Sequence, residues 1–69
     1  MLTEVPREAF LKAIANCSRD VVTTPFEHHI EWRTRDRLLV GKSYPGYREP
    51  GAVKKYELDL EWFKTNQKL

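Results

Sequence analysis

Sixty-nine residues with a formal net charge of +2, 41% hydrophobic and 12% aromatic, describe one small folded domain (1–69) and exclude a disordered tail. A single cysteine excludes an internal disulfide framework, and one Cys with two His is too few for a four-ligand structural zinc site. The longest aliphatic run, Leu38-Leu39-Val40, falls far short of the ~20 apolar residues of a membrane span, and MLTEVPREAF lacks the basic start and apolar run of a secretory signal. A cytoplasmic protein with no membrane contact is the expectation.

The spacing predicts a helix over residues 5–17. Pro6 suits its first turn, Glu8 favours its positive end, and Phe10, Leu11, Ile14 and Cys17 form an apolar stripe at steps of three and four. Val21-Val22-Thr23-Thr24 is β-branched and reads as a short strand or extended connection that Pro25 ends. Residues 27–34 alternate, with His28, Ile30 and Trp32 on the apolar parity and His29, Glu31 and Arg33 on the polar one, which marks a half-buried strand. Residues 38–43 resume as its hairpin partner after the polar break Thr34-Arg35-Asp36-Arg37. Without Gly or Asn in that break, a three- or four-residue loop is favoured over a tight primed turn.

Residues 43–52, SYPGYREPGA, hold two prolines and two glycines and read as an irregular loop. Tyr56, Leu58, Leu60 and Trp62 then alternate with charged residues, predicting a strand over 53–61. A competing reading makes Asp59 the N-cap of a short terminal helix, and residues 65–69 read as a frayed tail. The smallest layered arrangement that buries both apolar stripes is α+β: an N-terminal helix packed on one face of a three-stranded antiparallel sheet, four-stranded if Val21–Thr24 joins it. Phe10, Leu11 and Ile14 are expected against Ile30, Trp32, Tyr56, Leu58 and Leu60. The last strand is expected at an edge, where it would support a homodimer.

No pattern supports catalysis or a cofactor. Gly41-Lys42-Ser43 lacks the upstream glycine of a phosphate loop and is followed by Tyr44-Pro45-Gly46, which cannot open a helix. His28 and His29, adjacent on a strand, point to opposite faces and cannot share one metal ion. Cys17 follows a helix C-terminus, where the dipole raises rather than lowers a thiol pKa. Glu57, Asp59 and Glu61 stand on the polar side of a strand, with no apolar pocket to tune one as a general acid.

Charge distribution is more informative. Residues 1–32 carry three cations against five anions and residues 56–69 two against three, whereas residues 33–55 carry seven against two, a local +5. Arg33, Arg35, Arg37, Lys42, Arg48, Lys54 and Lys55, interleaved with Tyr44 and Tyr47, make the composition that nucleic acid requires: cations for phosphates and rings for bases. These nine residues are the candidate binding surface of a small nucleic-acid-binding module. The alternative is a protein-interaction factor, a small inhibitor or adaptor of the phage or mobile-element type, presenting the same residues to an acidic protein. A third reading needs no partner at all: each cation neutralises one of the protein's own carboxylates.

Overall fold

The structure is a computed structural model that describes residues 1–45 and 53–66, the side chains of 53 and 54 excepted. The chain runs β1 (Leu2–Val5), α1 (Arg7–Ala13), β2 (Ser18–Thr23), β3 (His28–Arg33), β4 (Leu39–Pro45), β5 (Val53–Asp59) and α2 (Leu60–Asn66). Its single sheet is antiparallel throughout, in the order β1-β5-β4-β3-β2. This is a small α+β domain with five strands and two helices, not a three- or four-stranded sheet led by a helix. Two local features account for the difference.

First, Leu2–Val5 is a strand, so the chain does not open on a helix. β1 pairs along β5, with Thr3 opposite Leu58 and Val5 opposite Tyr56. Pro6, at φ −64° and ψ 153°, ends it and caps α1 without a side-chain bond. Proline's fixed φ serves an extended residue and a helix start equally well. β1 is four residues long, and its last residue, Val5, is the one with which the sequence reading opens the helix. α1 covers 7–13 rather than 5–17, because Ile14 already departs from helical geometry at ψ 9°.

Second, the alternation over residues 55–62 is real only as far as Asp59. There the carboxylate Oδ1 accepts the backbone N–H groups of Glu61 (3.1 Å) and Trp62 (3.2 Å), capping α2. Thr65 and Asn66, expected in a frayed tail, belong to this helix and bond back to the Glu61 and Trp62 carbonyls. Residues 43–45 extend β4 instead of opening the loop, and residues 46–52 and 67–69 lie outside the described residues. The fifth strand is interior, between β1 and β4, so it offers no edge for a dimer. The edges are β1 and β2.

Both helices cover the same face. Phe10, Ile14 and Leu58 form the buried cluster, with Val5, Trp32, Tyr56, Leu60, Trp62 and Phe63 packed around it. Phe10 meets Trp32 edge-on at 5.9 Å and Tyr56 tilted at 4.9 Å. Gly41 lets α1 come this close: a Cβ there would stand 3.0 Å from Phe10 Cε1 and 3.3 Å from the Glu57 carbonyl oxygen. Trp32 Nε1 donates to the buried Ser43 hydroxyl at 3.1 Å, so the ring is packed and its polar end satisfied. Leu11, expected in this core, is 41% exposed.

The opposite face of the sheet carries no helix. Because Gly41 faces Phe10, alternation sends Lys42 and Tyr44 to the open side, together with His29, Glu31, Arg33, Lys55 and Glu57. His29, expected to be solvated, is 4% exposed there. Its ring lies 5.8 Å from that of Tyr44, with Glu27 Oε1 and Glu31 Oε2 each 3.4 Å from a ring nitrogen. Long polar side chains on an uncovered sheet shield one another, and the imidazole in their middle, with Val22 opposite it on β2, is buried without a helix over it.

Candidate nucleic-acid interface

The nine candidate residues divide into three groups. Arg33, Lys42 and Lys55 stand on the open sheet face among carboxylates. Arg33 Nη2 donates to Glu31 Oε1 at 2.9 Å, and this bond, with a smaller contribution from His29, holds the Glu31 carboxyl below its ordinary value. Lys55 Nζ is 3.9 Å from Glu57 Oε2 and sits 4.6 Å over the Tyr44 ring. Lys42 falls in a cross-strand row that register fixes as Glu4, Glu57, Lys42, Glu31, Asp20, one cation among four anions. On this face Arg33 and Lys55 are paired with the protein's own acids, and Lys42 stands between Glu31 and Glu57 in register.

Tyr44 is engaged in the same network. Its hydroxyl donates to Glu57 Oε1 at 2.8 Å. Burial first, and this bond next, push its pKa up to about 12. The phenol is held between Glu57, His29 and Lys55. Tyr47 and Arg48 lie outside the described residues, as does the side chain of Lys54.

Arg35 and Arg37 form the third group, at the tip of the β3–β4 hairpin. β4 has seven residues and spans ~20 Å, so this tip lies at one end of the sheet and Pro45 and Val53 at the other. Among the described candidates, Arg35 and Arg37 are thus set apart along the strands from Tyr44 and Lys55. The tip is built by Thr34, whose backbone N–H donates to the Leu38 carbonyl (3.0 Å), whose carbonyl accepts Arg37 N–H (2.9 Å) and whose hydroxyl accepts Leu38 N–H (3.2 Å). Closing so short a loop requires a left-handed residue. Arg37 supplies it at φ 67°, the one non-glycine residue with positive φ among those described. Arg33 Nη1 donates to the Arg37 carbonyl at 3.1 Å and braces the turn.

Both tip arginines are exposed, and among the described residues no carboxylate pairs with either. On the open-face side, Arg33, Arg35 and Arg37 line a cleft of about 580 Å³ with Ser18, Asp20 and Thr34. On the helix side, a second cleft of about 710 Å³ is lined by Lys12, Asn16, Arg35, Trp62, Phe63 and Asn66, among others. Arg35 and Thr34 belong to both.

Sequence reasoning missed Lys12, Asn16, Trp62 and Phe63. Reading Trp62 as the end of a strand hid the signal: two adjacent aromatics on a short helix diverge by about 100°, and both pack on the core while staying only partly buried. Cys17 also lines the second cleft, and burial raises its thiol pKa. Among the described residues, no three His, Cys, Asp or Glu side chains gather to hold a metal ion, and no helix is long and apolar enough to cross a membrane. Comparisons with known family models, with curated proteins and with solved structures find no match.

Proposed function

We propose that this protein is a small, non-enzymatic nucleic-acid-binding module whose contact surface is the β3–β4 hairpin tip rather than the whole of residues 33–55. One observation carries the reading: Arg35 and Arg37 project from a braced turn with no carboxylate partner among the described residues, while Arg33, Lys42 and Lys55 stand beside acids. A cation already neutralised at home contributes little to a phosphate. Two that are not, with Lys12 across the second cleft, remain available.

The magnitude follows from the count. Three or four neutralised phosphates give a log–log salt slope of about −2 to −3 on single strands. Fluorescence anisotropy with labelled oligonucleotides over a salt series reads this directly. Arg35→Ala/Arg37→Ala is expected to flatten the slope by about 1 to 1.5, whereas Lys42→Ala leaves it unchanged. Equal binding by the double variant and the wild type, or loss on Lys42→Ala alone, would reject the tip as the contact surface.

A second reading has its own observation. Phe26, in the β2–β3 connection, is 96% exposed, and Val21 on edge strand β2 is 57% exposed. An apolar ring and an unpaired strand edge at one side of a small domain suit a protein partner or a second copy of this chain. Co-purification of one stoichiometric protein that survives nuclease and is lost in Phe26→Ser favours this reading. A dimer in sedimentation that Val21→Lys returns to monomer favours self-association through β2.

A further inference from the structure

We infer that the cleft between α1, the hairpin tip and α2 is a stacking site for unpaired bases, so that the ligand is single-stranded nucleic acid and not duplex; this deepens the proposed function and rests on it. The cleft brings together the two kinds of group that a single strand uses. Trp62 and Phe63, on consecutive residues of α2, supply ring surface while remaining only partly buried against the core. Lys12 from α1 and Arg35 from the tip supply positive charge on the same walls, with Asp36 the one carboxylate among the lining residues. Successive bases stacking on rings while cations follow the backbone is the arrangement by which single strands are held without sequence reading.

Shape decides between single strand and duplex. In a duplex the base faces are covered by their neighbours, and only their edges reach the grooves. Rings recessed between two helices and a hairpin can meet a base face only if that base is unstacked and turned outward. Arg35 and Thr34 border this cleft and the arginine cleft on the other side of the tip, so a strand crossing the tip passes from rings to guanidinium groups without leaving the protein. Asn16 and Asn66 lie on the same walls. Asn66 Nδ2 is committed to the Trp62 carbonyl at 2.9 Å, which fixes the amide and leaves its oxygen to accept from a base edge.

The test uses the full chain with an oligothymidylate, its duplex with oligoadenylate, and inorganic polyphosphate as an anion without bases. Oligothymidylate is expected to bind more tightly than the duplex and to quench indole fluorescence, which polyphosphate does not. Trp62→Leu is expected to weaken oligothymidylate binding about 5- to 150-fold, the equivalent of about 1–3 kcal/mol per stacked base, with Trp62→Phe restoring most of the loss. The quenching comparison needs no variant, so it decides the matter even if Trp62→Leu unfolds. Salt-dependent binding that requires Arg35 and Arg37 but shows no quenching, or equal affinity for duplex, overturns the stacking site and leaves the tip reading intact. No binding to any oligonucleotide at low salt overturns both.

Discussion

Arg37 occupies a backbone conformation that Gly or Asn fills more cheaply, and it does so at the tip of an exposed hairpin. An L-residue with a Cβ costs roughly 1 kcal/mol in the left-handed region relative to glycine. Arg37→Gly should therefore raise unfolding stability by about 0.5–1 kcal/mol in urea titration while weakening oligonucleotide binding. A destabilised variant would mean that the Arg33 brace on the Arg37 carbonyl depends on the side chain as well as the backbone. Tyr44 makes the complementary case on the open face. With its pKa raised from 10.0 to about 12 in the folded state, the unfolded chain loses the phenolic proton first. This stabilising contribution is complete below pH 10 and declines as pH rises toward 12. Tyr44→Phe should flatten that alkaline decline, with thermal denaturation across the range as the measurement.

At the scale of elements, two contacts hold the helices to the sheet. Gly41→Ala places a methyl group 3.0 Å from Phe10 Cε1, with the Glu57 carbonyl oxygen at 3.3 Å, so the Phe10 ring must give by a few tenths of an ångström. A loss of about 1–3 kcal/mol is expected from such overpacking, read as a lowered urea midpoint. Asp59→Ala removes the acceptor for two N–H groups at the start of α2 and should cost about 0.5–2 kcal/mol. Because α2 carries Trp62 and Phe63, the same variant should reduce affinity for a single strand more than it reduces salt dependence. Elements were legible where they carried their own punctuation. Pro25 closely follows the end of β2 and the polar Thr34–Arg37 break announced the hairpin, whereas the cap at Asp59 was outweighed by an alternation that runs on to Trp62. β1 carried none, being four residues running directly into Pro6.

For the molecule as a whole, 69 residues support a stability of about 3–10 kcal/mol, so one central side chain matters. Phe10 touches Trp32 and Tyr56 and is 1% exposed; its loss in Phe10→Ala should cost about 3–5 kcal/mol and leave the domain largely unfolded by circular dichroism. The amino-acid order by itself determined the α+β class, the apolar sides of β3 and β5, and the clustering of cations in the middle of the chain, because each is a property of neighbours a few residues apart. Only tertiary structure decided which of those cations stay available. Glu4, Glu57, Lys42, Glu31 and Asp20 become one row solely through the strand order β1-β5-β4-β3-β2, and Trp62 and Arg35 line one cleft solely because α2 folds back beside the hairpin tip. Local periodicity specifies which side of a strand a residue takes; it carries no information about which strand lies alongside, and Coulomb attraction acts across that gap.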